Sequence, residues 1–196
     1  MRTQLLVLTV FTALLSVPSE AALIQLGGNL SGTAEFPVNL SKGTGVTTVV
    51  YDSTAHTLQI GVTFLGLTGN TTASHIHCCV SPAAATPTAG VATTTPSFAG
   101  FPLGVTAGTF SNTLDLTQAS SYNPAFITAK GSISAAEAAL ADGFANGTTY
   151  LNIHTSTTPS GEIRAFLQPV PEPVTALLTI AGLASLCLPA RKRTIT

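Results

Sequence analysis

Three of the four histidines in the sequence lie in short segments with the alternating pattern of a β-strand. His75 and His77 are two positions apart, and side chains two apart on a strand point to the same face of a sheet. His154 lies in the segment Tyr150 to Thr155, which alternates in the same way. Since imidazole is a ligand suited to copper or zinc, the spacing predicts a three-histidine metal site on one sheet face.

Three further polar residues are predicted to surround these rings: Asn152, Glu162 and Arg164. Glu162 is expected to supply an oxygen ligand or to accept a hydrogen bond from a ligating ring. For the face that Glu162 and Arg164 share, the other expectations are a partly buried ion pair between them or a cross-strand pair with a histidine. The residue types also allow a site without metal, in which the rings donate to backbone carbonyls, Asn152 and Glu162, and so join strand ends.

Cys78 and Cys79 follow His77 directly. In an oxidising compartment they allow a vicinal disulfide, intermolecular bridges or soft metal ligands beside His77. Adjacent residues of a regular strand point to opposite faces, so a vicinal bridge predicts a turn immediately after His77. A vicinal disulfide or free thiols is the preferred interpretation. Cys187 lies in an apolar C-terminal segment and is expected to stay apart from the pair.

The elements that must position these residues are predicted to be strands. Charged residues make up only 8% of the sequence, and between two apolar ends the chain is rich in Thr, Ser, Gly, Ala and Val, a mixture that favours strands and turns. Residues 46–51 and 58–64 alternate on either side of a short polar turn, which predicts a hairpin. His56, just after that turn, is expected to be solvated. The sequence predicts one all-β domain over residues 22–169.

Two segments depart from the strand pattern. Ser134 and Glu137 form a capping box at the start of an alanine-rich stretch, which predicts one short connecting helix over residues 134–146. Residues 81–104 contain four prolines and are predicted to form a long loop with one short strand around Val91.

Charge and motif content exclude several classes of function. The central domain has three basic residues, Lys42, Lys130 and Arg164, against six acidic ones. These three cannot form the basic face that a nucleic-acid-binding protein needs, so no nucleic-acid partner is expected. No serine or threonine has an evident base and acid beside it, and no glycine-rich phosphate loop occurs. No catalytic residue is therefore assigned, and the protein is expected to be a non-enzymatic structural or binding module. The alternative is a copper- or zinc-binding protein that uses His75, His77 and His154 and has redox activity.

The two ends of the sequence carry export signals. Residues 1–21 combine the basic Arg2, an apolar run and small residues before Ala21, which is typical of a signal peptide. Residues 170–196 begin with Pro171, Glu172 and Pro173, continue through an apolar run that predicts a transmembrane helix, and finish with a basic tail. That tail, Arg191, Lys192 and Arg193, predicts a cytoplasmic end.

The C-terminal combination resembles the PEP-CTERM sorting signal of Gram-negative bacteria. The resemblance implies export across the inner membrane, transient anchoring through the C-terminal helix, and processing by an exosortase-type enzyme. It further implies delivery to the cell surface or extracellular matrix, with exopolysaccharide or envelope proteins as partners.

Four segments in order across the central chain resemble the CHRD domain, named from chordin: residues 30–37, 73–77, 150–155 and 161–164. The resemblance implies an extracellular Greek-key antiparallel β-sandwich, superoxide-dismutase-like or immunoglobulin-like, that acts as a structural or binding module. The sequence departs from the family pattern at Cys78, where a glycine commonly follows the second histidine. His-x-His on a strand with a distant histidine also resembles copper-zinc superoxide dismutase, although no zinc loop and no suitably placed fourth histidine occur.

Overall fold

The central sequence folds into a single antiparallel sheet that curls into a half-barrel. The computed structural model describes residues 23–81 and 86–170, and eight strands lie within these ranges. They are β1 (Leu23–Ser31), β2 (Thr44–Asp52), β3 (Thr57–Leu65), β4 (Thr71–His77), β5 (Gly108–Asp115), β6 (Tyr150–Thr155), β7 (Ile163–Phe166) and β8 (Gln168–Pro169). Their order across the sheet is β4-β6-β7-β1-β2-β3-β5, and β8 pairs with β1.

The hairpin of β2 and β3 is confirmed, and it shows why this sequence forms a sheet. Buried and more exposed residues alternate along both strands, so one face enters the core while the other meets solvent. Asp52 closes the turn, because its carboxylate accepts hydrogen bonds from the backbone N–H groups of Thr54 and Ala55 at 2.8 and 2.9 Å.

The predicted connecting helix exists, but its cap was misassigned. Helix α2 spans Ile133–Ala145. Its N-cap is Ser132, whose hydroxyl oxygen accepts from the Ala135 backbone N–H at 3.1 Å. The capping box headed by Ser134 is therefore wrong. Two serines two residues apart offer the same chemistry, and the packing of the helix decides between them.

Glu137 has a different role from the one predicted for a capping-box residue. Its buried carboxylate accepts a hydrogen bond from the Tyr51 hydroxyl at 3.0 Å and lies 2.9 Å from Nδ1 of His56. The His56 side chain is 49% exposed, so it is half-buried by this contact rather than simply solvated. The contact joins the β2–β3 turn to α2.

A second helix was not predicted. Helix α1 spans Pro124–Lys130, and the Asn123 side chain caps it by accepting from the Ala125 backbone N–H at 3.0 Å. It ends at Gly131, which has a left-handed φ of 94°. An Asn-Pro start and a glycine stop are recognised helix signals, so this helix could have been found from the sequence.

The sheet has a core face and an outer face. The core face carries the buried apolar side chains of the strands, and α1 and α2 add Phe126, Ala136, Leu140 and Phe144 to the same core. On the outer face, β1, β2, β3 and β5 expose polar residues together with Val46 and Leu65, whereas β4, β6 and β7 are covered by loops. The covered part of the outer face contains the histidines.

Two predicted features of the fold are not decided by these elements. The sheet is one curled layer, and the Greek-key sandwich stays a prediction. The predicted signal peptide, transmembrane helix and basic tail fall on residues 1–22 and 171–196, outside the described chain. Over the residues that the structure does describe, we find no helix with the length and apolar character needed to cross a membrane.

Candidate functional site

The three histidines meet where β4 pairs with β6 at one edge of the sheet. In the register of this antiparallel pair, Ala73 lies opposite His154 and His75 lies opposite Asn152. His75, His77 and His154 therefore share the outer face, while the residues between them enter the core. The ring centroids are 4.9 Å apart for His75 and His154, 5.7 Å for His75 and His77, and 6.0 Å for His77 and His154.

Each ring is anchored by a hydrogen bond to a backbone carbonyl of a covering loop. The bonds run from His75 Nε2 to Pro96 O at 2.7 Å, from His77 Nδ1 to Ala89 O at 2.8 Å, and from His154 Nδ1 to Pro159 O at 2.9 Å. A carbonyl oxygen can only accept, so each of these ring nitrogens carries the proton. The tautomer of every ring is thereby set.

The second nitrogen of each ring carries a lone pair that accepts no hydrogen bond within the described chain. Nδ1 of His75 and Nε2 of His77 and His154 are all buried and make no hydrogen bond within the described chain. One nitrogen from each of the three rings lies within 4.8 Å of one nitrogen from each of the other two. Buried polar atoms are normally paired, so three unpaired acceptors that converge on one point require an explanation.

The environment keeps the rings neutral at physiological pH. Burial lowers the pKa of His75 and of His77 to about 4, although each carbonyl bond opposes the shift. Burial also lowers the pKa of His154. Neutral imidazole is the form that binds a metal ion, so the lone pairs are available at neutral pH.

A single cation is the species that best satisfies this arrangement. The three acceptors cannot pair with one another, and a water molecule has one O–H donor too few for them. A copper or zinc ion binds imidazole nitrogens at roughly 2.0–2.1 Å, which places ligand nitrogens about 3.3 Å apart. Each nitrogen would have to move inward by less than about 1 Å. Donation of the other ring N–H to a carbonyl is also the usual support of a ligating histidine.

Asn152, which lies opposite His75 in the strand register, contacts a buried pair formed by an acid and an arginine. Its side-chain N–H donates to Glu35 Oε1 at 2.9 Å. Glu35 is only 5% exposed, and its Oε2 lies 3.8 Å from Nε of the buried Arg164. Burial raises the pKa of Glu35 to about 7, against the opposing effects of Arg164 and the hydrogen bonds from Phe36 and Asn152. Arg164 therefore pairs with Glu35 and not, as predicted, with Glu162.

Arg164 also joins the covering loops to the aromatic side of the site. Its guanidinium donates to the backbone carbonyls of Ala34 and Pro87. The same group lies 4.8 Å from the ring centroid of Tyr150, and that ring stacks on His77 with 4.6 Å between centroids. Arg164 thus supports His77 indirectly, through Tyr150.

Glu162 does not act as a partner of the histidines. Within the described chain its carboxylate accepts hydrogen bonds from the hydroxyls of Ser41 and Thr155, both at 2.6 Å, and from the backbone N–H groups of Thr68 and Gly69. Burial raises its pKa, but these four bonds outweigh burial and lower it to about 2. Glu162 therefore joins two loops to β6, and its predicted place beside the metal is not supported.

Cys78 and Cys79 are bonded to each other just after β4 ends. Their sulfurs lie 3.5 and 3.4 Å from the Ala139 carbonyl oxygen of α2. This is the helix side of the sheet, whereas His77 points to the outer face. Soft metal ligation beside His77 is not compatible with this position.

Comparison with family models places residues 26–167 in the CHRD domain, a match over most of the chain that includes all three histidines. The chain belongs to the CHRD family. No curated protein and no solved structure matches it. CHRD domains are extracellular modules of β type, and a structural or binding role fits this CHRD domain.

Sequence reasoning missed two side chains of the CHRD site, Glu35 and Tyr150. Glu35 lies in residues 30–37, one of the segments that carry the family resemblance, but the sequence alone gives no role for its side chain. Tyr150 is the residue opposite His77 in the β4–β6 register. Strand pairing could have suggested Tyr150 once the two strands were assumed to be neighbours.

Proposed function

We propose that this CHRD domain is a non-enzymatic binding module whose ligand is one copper or zinc ion held by His75, His77 and His154. The supporting observation is the convergence of the three rings, which each have a buried, unpaired nitrogen and each place one nitrogen within 4.8 Å of the others. The carbonyl bonds to the other nitrogens orient the rings as ligating histidines are usually oriented.

A purely structural role is the competing interpretation. The three ring N–H bonds join β4 and β6 to the covering loops, and this would stabilise the domain without metal. That role accounts for one nitrogen of each ring only. It leaves three buried acceptors without partners, at an expected cost of about 1–3 kcal/mol each.

Metal content measured by mass spectrometry separates the two roles. Protein loaded with copper or zinc and then dialysed is expected to retain one ion per chain. His75→Ala and His154→Ala should each weaken binding on the order of 100-fold or more, because each removes a ligand. His56→Ala is the matched control and should retain the ion. Equal, substoichiometric metal in all four proteins would exclude the site, provided that circular dichroism shows all four folded.

We also propose that the domain is exported across the inner membrane of a Gram-negative bacterium and sorted to the cell surface or matrix. Support comes from the apolar run with Arg2 at one end and from Pro171, Glu172 and Pro173 with a basic tail at the other. The partners implied are an exosortase-type processing enzyme and, after release, exopolysaccharide or envelope proteins. Because the central domain is mildly acidic and has only three basic residues, no nucleic-acid partner is proposed.

A further inference from the structure

The disulfide between Cys78 and Cys79 occupies a position that its contribution to folding does not explain. A disulfide stabilises a fold mainly by restricting the unfolded chain, and the effect grows with the length of the closed loop. A bridge between adjacent residues closes the shortest loop that a chain allows. Its entropic contribution to stability is therefore the smallest that a disulfide can make.

The pair is packed on one side and open on the other. A side chain at Gly143 of α2 would place a Cβ atom 2.7 Å from the Cys79 sulfur and 3.1 Å from the Cys78 sulfur, so glycine is needed for the disulfide to lie on the helix. Cys78 is 6% exposed, whereas Cys79 is exposed to solvent. The Cys79 sulfur is thus the one that a thiol can reach.

Two surface cavities with opposite charges adjoin the pair. Cys79 lines a cavity of about 410 Å³ together with Asp142 and Asn146. Cys78 lines a separate cavity of about 290 Å³ together with Lys130. The carboxylate disfavours the approach of anionic thiols to Cys79. The Lys130 ammonium, which lies 5.4 Å from the centroid of the Phe126 ring, places a positive charge on the Cys78 side.

We propose that Cys78–Cys79 is a redox site that exchanges with small thiols carrying no net negative charge. A thiolate attacks the Cys79 sulfur, the bond between the cysteines breaks, and Cys78 leaves as a thiolate on the Lys130 side. A second thiolate then attacks the sulfur of the bound thiol, which releases the Cys79 thiolate and the disulfide of the small thiol. Two small thiols are oxidised, the pair gains two electrons, and two protons end on the cysteines.

Reduction kinetics test this site without reference to metal, so failure of the metal proposal leaves the test intact. The oxidised full-length protein is treated with cysteamine, 2-mercaptoethanol or mercaptoacetate at equal thiolate concentration. Released thiols are alkylated and mapped by peptide mass spectrometry, which separates Cys78 and Cys79 from Cys187. The folded protein should react fastest with the cationic thiol and slowest with the anionic one, over about a tenfold range.

Two variants locate the charges. Asp142→Asn should speed reduction by mercaptoacetate about threefold and change the other rates less, whereas Lys130→Gln should slow reduction by all three thiols. Lys42→Gln is the matched control, since Lys42 adjoins neither cavity, and should leave all rates unchanged. The proposal would be overturned if the disulfide were reduced only after denaturation. It would also be overturned if the rates changed neither with thiol charge nor with the Asp142 and Lys130 substitutions.

Discussion

Each of the three site histidines has two nitrogens in different situations, and this difference carries the functional argument. One nitrogen donates to a carbonyl, and the other is a buried acceptor without a partner. Burial keeps the rings neutral, so the open acceptors attract a cation and not a proton near pH 7. The same residues, exposed on a bare sheet, would be ordinary solvated histidines.

Glu35 is expected to make the stability of the domain depend on pH. Its pKa rises from 4.5 in the unfolded chain to about 7 in the folded domain because it is buried. The folded state therefore binds a proton that the unfolded state has released, and the stabilisation is lost as pH rises through about 7. We predict that the contribution of Glu35 to the free energy of unfolding falls by about 2–3 kcal/mol between pH 5 and pH 8. The three site histidines, whose pKa values are lowered, contribute in the opposite direction over this range. Denaturant titrations at each pH measure this change.

Glu35→Gln should remove the contribution of Glu35 and leave that of the histidines, because glutamine keeps the shape of the side chain but does not titrate. Glu162→Gln is the matched control. The pKa of Glu162 is lowered to about 2, so its stabilisation is present above about pH 4.5 and is lost only as pH falls towards 2. Glu162→Gln should leave the change in the free energy of unfolding between pH 5 and pH 8 the same as in the wild type. Equal slopes in the wild type and in Glu35→Gln would show that Glu35 is not responsible.

Residue types alone could suggest the histidine set but not its surroundings. The His-x-His spacing predicts a shared face for His75 and His77, since alternation is a property of any strand. The acid that pairs with Arg164 depends on how the segment near residue 35 folds over the sheet, a contact 129 residues away in sequence. Residue types alone therefore favour Glu162, which is nearer in sequence, over Glu35.

At the scale of elements, β4 has two different neighbours. On one side it pairs with β6, and on the other it receives the irregular chain around Val91, where a single bridge forms between His77 and Val91. The predicted long loop with a short strand around Val91 matches this segment in outline. Since its carbonyls at Ala89 and Pro96 orient two of the histidines, the loop is part of the site.

The N-cap of α2 can be tested directly, because the sequence offers both Ser132 and Ser134 for that position. Ser132→Ala should lower the free energy of unfolding by about 1 kcal/mol, because it removes the hydroxyl that accepts from Ala135. Ser134→Ala, inside the first turn, is the matched control and should be neutral or slightly stabilising, since alanine is the better helix former. Thermal or denaturant unfolding of both variants measures the difference, and a larger loss in Ser134→Ala would contradict the cap assigned here.

Element types were more predictable than element edges and neighbours. Alternation of residue types marked β2, β3 and β6. In β2 and β3 the cause is one buried face, which imposes a period of two on a half-buried strand. In β6 nearly every residue is buried. Helix α1 was missed because its seven residues are too few to show a helical period, although Asn123 and Gly131 mark its ends. The order of the sheet follows from long-range packing, which local sequence patterns do not encode.

At the scale of the whole molecule, the central CHRD domain is proposed to lie between an export signal and a sorting signal. Replacing Pro171, Glu172 and Pro173 with alanines is expected to leave the protein uncleaved in the inner membrane, because the processing enzyme is proposed to read that motif. Membrane fractionation and immunoblotting measure the release. Alanines at Thr194, Ile195 and Thr196 are the matched control and should not alter it. Unchanged release of the domain from the first variant would refute exosortase-type sorting.

X-ray absorption spectroscopy of the copper- or zinc-loaded protein tests the central claim most directly, because it counts imidazole ligands and measures their distances. The account predicts three imidazole nitrogens at about 2.0 Å from the ion, falling to two in His77→Ala and staying at three in His56→Ala. Scattering from one imidazole or none, or a count that the His77 substitution leaves unchanged, would contradict metal binding by these three residues.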